Sequence, residues 1–286
     1  MGGSLGLALI QKGLAESVWG LGRNEGRLEN ARKAGVITHS TTDQAEAAKD
    51  AEIIVVGLPV ERIPAAVVGL SASVSQGAVI TDMGSVKEKI VTEIEAGLGD
   101  KSSLFIGSHP MCGSEKQGFE SARVDLYEGA TCAVTPTERS SNSACEKVVS
   151  FWESVGCRTL QFNPSEHDRI VARTSHVPHI TASALCNMLD FECYSEKRDG
   201  MVATGFMGAT RTATGDVENW LRIFLDNDKY VLKALGDLET SIGEVRRFLA
   251  NEDEEGLKDW LERAALTRNR LADERAIARK REAPPE

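Results

Sequence analysis

Thr81-Asp82-Met83-Gly84-Ser85-Val86-Lys87 is the stretch whose reading decides the fold. Gly77-Ala78-Val79-Ile80 lead into it as a short apolar run, and residues 86–98 that follow repeat their apolar positions at helical spacing. Strand, polar turn and helix in that order form the repeating unit of an α/β sheet. A second polar segment, Gly107-Ser108-His109-Pro110-Met111-Cys112-Gly113-Ser114-Glu115, leaves the end of the apolar run 104–106. In an open α/β sheet, ligands bind in loops at the carboxyl ends of strands. The two segments therefore place Ser85, Lys87, His109 and Glu115 around one crevice, and a histidine there can move a proton near neutral pH.

Working outward, residues 17–21, 52–58, 77–81, 104–106, 130–134 and 157–162 read as strands. Residues 4–14, 26–34, 60–70, 86–98 and 143–155 read as the helices between them. This alternation predicts a parallel sheet with right-handed crossovers. After Asn163-Pro164 the strand signals stop. Residues 165–190 read as one long helix that Pro178 must kink or split, and 216–248 and 252–281 as two more. The division predicted is 1–163, a Rossmann-like doubly wound domain, and 164–286, an all-helical domain.

The opening Met1-Gly2-Gly3-Ser4-Leu5-Gly6 has the form of the end of a dinucleotide fingerprint, in which a glycine turn starts a helix whose amides hold a pyrophosphate. Gly2, Gly3 and Ser4 are the candidate phosphate contacts. The strand that should enter the turn is missing, and the expectation is a native start roughly ten residues upstream, one strand length. At the end of the second strand, Gly20-Leu21-Gly22-Arg23 carries no acid for a ribose 2′-hydroxyl and offers an arginine, which leans to NADP over NAD. Pro59, which stops the run 52–58, and Ser85 complete the cofactor side.

A formal charge of −10 argues against a nucleic-acid partner, which wants a basic patch. No apolar run approaches the ~20 residues that span a bilayer, and no signal peptide is visible, so a cytoplasmic protein is expected. None of the six cysteines forms a C-x-x-C pair or zinc-finger spacing. Cys112 shares the His109 segment, yet that segment already holds an acid/base group and no second step demands a thiolate. His176 and His179 have no third metal ligand nearby, and no metal is expected.

In order, the chain carries a G-G-S helix start, T-D-M-G-S-V-K, F-I-G-S-H-P-M-C-G-S-E-K-Q-G, L-Y-E-G-A and H-D-R-I-V-A-R-T-S-H-V-P-H. From Met1 to about Leu225 it closely resembles the prephenate/arogenate dehydrogenase family of tyrosine biosynthesis. The resemblance implies a nucleotide-binding domain, a helical domain that makes a homodimer, and NAD(P)-dependent oxidative decarboxylation of a cyclohexadienol. It implies that His109 accepts the hydroxyl proton, with Ser85 bonded to it and fixing its tautomer, or serving as a helix N-cap. His179 and Arg211 then bind the dianionic substrate, and Glu115 contacts its side chain or positions the loop. A guanidinium suits a carboxylate. Trp220 matches a family tryptophan. Gly208 stands where many relatives carry an acid, which leaves prephenate and arogenate both open as substrate. The alternatives are a non-catalytic relative with a truncated nucleotide site, or a dehydrogenase of β-hydroxy acids, which the H-P-M-C-G-S-E loop disfavours.

Overall fold

The structure is a computed structural model that describes residues 1–113, 118–189 and 199–282. It opens with α1 (Gly2–Gln11), β1 (Trp19–Leu21), α2 (Glu25–Lys33), β2 (His39–Thr41) and α3 (Gln44–Ala48). Side-chain caps start the two short helices: Asn24 Oδ1 accepts from Arg27 N at 2.9 Å, and Asp43 Oδ1 from Ala45 N at 2.7 Å. β1 and β2 pair in parallel as a two-stranded sheet.

The main sheet uses β3 (Ile53–Val56), β4 (Val79–Asp82), β5 (Phe105–Pro110), β6 (Thr131–Thr135) and β7 (Arg158–Gln161), in the spatial order β3-β4-β5-β6-β7. Helices α4 (Ile63–Leu70), α5 (Glu88–Leu98) and α6 (Asn142–Ser154) connect them. β3, β4 and β5 run parallel, as do β6 and β7, but β6 runs antiparallel to β5. A parallel pair needs a crossover, usually a helix. Among the described residues between β5 and β6 the only helical piece is the 3₁₀ turn Phe119–Ser121. β5 is also longer than the run 104–106 suggested. It continues through His109, which pairs with Ala133, so His109 stands in a strand and not in a loop.

Successive strand residues face opposite sides of a sheet, and the two cores show it. Ile80 and Phe105 join Ile63, Val67, Ile90 and Ile94 of α4 and α5 on one face. Their neighbours Val79 and Ile106 join Leu5 of α1 and Val148 and Trp152 of α6 on the other. Each such side chain stabilises the fold by about 1.5–3 kcal/mol when fully buried, and β4 is buried at every position.

Beyond β7 the described residues are helical: α7 (Pro164–Val171), a π turn (Ala172–His176), α8 (Val177–Leu189), α9 (Thr204–Thr210), a 3₁₀ turn (Arg211–Thr214), α10 (Val217–Asp226), α11 (Asp228–Ala250) and α12 (Glu254–Glu282). The long helix expected at 165–190 is divided by the π turn just ahead of Pro178. Proline has no N–H to give and its ring crowds the carbonyl four residues back, and the widened turn accommodates both. The stretch 216–248 breaks at Asn227, between α10 and α11.

The chain divides into two compact units, Met1–Asp228 and Lys229–Glu286. The first holds the sheet and α7 to α10, with Ile223 of α10 buried in the core of α4 and α5. In the second, Trp260 Nε1 of α12 donates to Ser241 Oγ of α11 at 3.2 Å. No described helix is long and apolar enough to cross a membrane.

Candidate active site

The carboxyl ends of β4 and β5 are joined by a buried polar frame. Asp82 Oδ2 accepts from Gly84 N at 2.8 Å and from Lys87 Nζ; its Oδ1 accepts from Ser108 N at 3.0 Å. Lys87 Nζ also donates to the carbonyl of Ser108 at 2.9 Å. Lysine and aspartate here are both fully buried, and each charge is matched by its partner and by further hydrogen bonds. Lys87 is therefore a structural cation. Gly84 lets the chain turn this tightly: a Cβ there would stand 2.8 Å from Asp82 Oδ2 and 2.9 Å from Ile63 Cδ1.

On this frame stands His109, half-buried. Its Nδ1 lies 2.9 Å from His167 Nε2, and His167 Nδ1 lies 2.7 Å from Asp168 Oδ1. Asp168 in turn accepts from the backbone N–H of Lys87 at 2.7 Å and of Glu88 at 2.8 Å. It thus caps α5, whose own N-cap position, Lys87, supplies no side-chain bond. Ser85 was expected to bond His109 or cap the helix. The structure gives the first task to His167 and the second to Asp168, and Ser85 lies half-buried in the turn between β4 and α5. Burial, then the neighbouring His167, Lys87 and His176, push the His109 pKa well below the usual imidazole value.

A second cluster lies along α8 and α10. His179 stacks on Trp220 with ring centroids 3.8 Å apart and a 19° interplanar angle. Gly215 makes room for the pair, since a Cβ there would fall 2.4 Å from Trp220 Nε1 and 3.1 Å from His179 Cε1. His179 is buried, and its Nδ1 has no hydrogen-bond partner among the described residues. Arg211 is exposed on the 3₁₀ turn that packs along α8 and forms no salt bridge with a described residue. The two clusters are tied through Asn227. Its Nδ2 donates to the Asp168 carbonyl at 3.0 Å and to His176 Nδ1 at 3.1 Å, and the His176 ring meets Trp220 edge to face.

On the nucleotide side, the amides of Gly2, Gly3 and Ser4 precede the first intrahelical bond of α1, Leu5 N to Met1 O, and no side chain caps them. Ser4 is buried, and its hydroxyl accepts from Arg123 N at 3.0 Å, so of this residue only the amide is offered. Tyr127 OH donates to Met1 O at 3.0 Å and sits 3.7 Å from Met83 Sδ, which brings the start of α1 beside the turn of Ser85. Arg23 and Pro59 are exposed, just past the carboxyl ends of β1 and β3. Burial pushes the Cys112 thiol up to about 11, which leaves it a poor nucleophile. Glu115 lies outside the described residues.

Two family models match the chain: "prephenate dehydrogenase, nucleotide-binding domain" over residues 5–161 and "prephenate dehydrogenase, dimerization domain" over 163–263. The chain belongs to the prephenate dehydrogenase family. Among its relatives, the prephenate dehydrogenase of Bacillus subtilis is 28% identical over 95% of this chain and 73% of its own length. The cyclohexadienyl dehydrogenase of Zymomonas mobilis is 24% identical over 87% and 85%. The crystal structure of Aquifex aeolicus prephenate dehydrogenase, in complex with hydroxyphenyl propionate and NAD+, superposes with a TM-score of 0.87 at 30% identity, covering 94% of each chain. The family is one of NAD-dependent oxidoreductases, and His109, His167, Asp168, His179 and Arg211 all fall within its matched regions.

Proposed function

We propose that this chain oxidises and decarboxylates prephenate to 4-hydroxyphenylpyruvate with NAD+ or NADP+. The observation that carries the reading is His109: a half-buried imidazole with its pKa driven down, next to Ser108, which is bonded to Asp82 ahead of the turn of Ser85. The dinucleotide fits the residues present. Gly2, Gly3 and Ser4 present three unpaired helix-start amides, and a Cβ at Gly2 would meet nothing within 4 Å. When bound, the nicotinamide supplies the hydride acceptor.

The chain's own residues do the rest. Neutral His109 takes the proton of the ring hydroxyl as the carbinol carbon gives up hydride. Arg211 pairs with a carboxylate, and His179, braced by Trp220, supplies a second polar contact. The bond from the ring to its carboxylate breaks, CO2 leaves, and the electron pair completes the aromatic ring. Ser85 and Glu115 stay assigned to the pocket, as a hydrogen-bonding and a positioning group.

Arg23, exposed after β1 with glycine at position 22, supports NADP over NAD. On that reading Arg23→Ala raises KM for NADP+ about tenfold and leaves KM for NAD+ nearly unchanged. Gly208, exposed on α9 at the position where many relatives carry an acid, leaves arogenate open as the second reading. Residues 1–163 and 164–286 serve as nucleotide and substrate parts, a division supported by the junction of the two family models. The exposed Leu232, Ile242, Leu249 and Leu266 of the second unit support a homodimer, and the chemistry suits the cytoplasm.

The deciding experiment is a four-way assay of the chain with prephenate and arogenate, each with NAD+ and NADP+, following nicotinamide reduction. Turnover of prephenate carries the proposal, turnover of arogenate alone selects the second reading, and no turnover of either supports the non-catalytic alternative.

A further inference from the structure

We infer that His167 is a positioning residue: with Asp168 as its anchor, it locks His109 in the tautomer whose outer nitrogen, Nε2, is bare and able to take a proton. This rests on the proposed role of His109 as base and adds how that base is kept ready.

With both imidazoles neutral, as at mildly alkaline pH, donors and acceptors decide the tautomer. Asp168 receives three contacts, from the N–H groups of Lys87 and Glu88 and from His167 Nδ1. The first two are backbone donors that cannot accept, and both point at the carboxylate from the start of α5. A carboxylate accepts only. Hence His167 carries its proton on Nδ1 and donates to Asp168. A neutral imidazole has one N–H, so His167 Nε2 is a lone pair. Its partner, His109 Nδ1 at 2.9 Å, must then be the donor. With the His109 proton held on Nδ1, Nε2 is the free lone pair. An unconstrained neutral histidine prefers the opposite tautomer, with the proton on Nε2, and in that form could not act as base at its outer nitrogen.

The remaining bonds brace the relay. Asp168 is fixed at its carbonyl by Asn227, and the same amide group holds His176. His167 is fully buried, its ring edge-on to His109 with centroids 5.1 Å apart. Asp168 thereby ties helix α5, which carries Ser85 at its approach, to the orientation of the base in β5.

The test uses the full chain labelled with ¹⁵N-histidine. There are five histidines, His39, His109, His167, His176 and His179, few enough to assign by single replacements. Nitrogen shifts and two-bond couplings at mildly alkaline pH report the tautomer of each ring without any substrate. Wild type is expected to show His109 protonated on Nδ1 and bare on Nε2. In His167→Phe, which keeps the volume and removes the acceptor, His109 turns to the Nε2–H form. Turnover then falls about 10²-fold or more, as for a base held in the wrong tautomer, with KM for substrate and dinucleotide changed by less than about threefold. His167→Gln, whose side-chain oxygen can accept near the Nε2 position, recovers most of that loss. A wild-type His109 protonated on Nε2 overturns the inference, whatever the variants do. So does a His167→Phe enzyme with unaltered tautomer and turnover, or a His167→Gln as impaired as His167→Phe. The tautomer pattern is read on resting protein, so a chain inactive with every cyclohexadienol would refute the proposed function and leave this assignment standing.

Discussion

His109 gains its chemistry from what surrounds it. Its neighbours are His167 on α7, Lys87 ahead of α5 and His176 in the π turn, and these with burial all lower its pKa. A base works when deprotonated, so a lowered pKa extends activity towards acid. The acidic limb of kcat/KM should fall below pH 6.5, the ordinary imidazole value, and a limb at or above that pH would contradict the described environment. His109→Asn should cut kcat by roughly 10²–10⁴ with substrate KM little changed, measured by steady-state kinetics. His109 was legible in the sequence because a histidine among glycine, serine and proline after an apolar run points to a strand end. His167 and Asp168 were not. In sequence they sit in the first turns after Asn163-Pro164, where polar residues normally serve their own helix. Only the fold brings Asp168 to the start of α5, 80 residues away in the chain.

At the scale of elements, α5 borrows its cap from α7 and the His179–Trp220 stack borrows its space from Gly215. Asp168→Ala strands two backbone donors and the His167 ring in a buried site. It should destabilise the protein by about 2–4 kcal/mol in denaturant unfolding; a loss under about 0.5 kcal/mol would mean that the cap is dispensable. Gly215→Ala puts a methyl group against the rigid indole of Trp220. It should raise substrate KM several-fold while kcat changes less, and an unchanged KM would detach that stack from substrate binding. The strands were readable from apolar runs bounded by glycine and proline, and Pro178 marked the interruption of the helix 165–190, whereas the break at Asn227 was not readable. Apolar periodicity continues across Asn227, and only the packed neighbours reveal where the backbone departs from it.

Across the whole molecule, the layering of helices on a sheet was legible from the alternation of runs, and the reversal of β6 was not, since direction is set by the connection and not by the strand. The buried histidines also give the protein a pH signature. Burial holds His176 down to about 4, against 6.5 for a solvated imidazole, so the unfolded chain binds its proton first as pH falls. Its contribution is present in full above pH 6.5 and is lost progressively towards pH 4. His109 and His179 shift in the same direction. For His176 alone the loss is about 3 kcal/mol. Tm should therefore drop between neutral and mildly acid pH, and His176→Gln should flatten that slope. The central claim is that His109 serves as the base of a cyclohexadienol dehydrogenase. The most direct measurement is single-turnover reduction of the dinucleotide with prephenate, wild type against His109→Asn. A burst of reduced nicotinamide and CO2 is expected in wild type, slowed by at least about 10² in the variant; equal rates in the two proteins would contradict the claim.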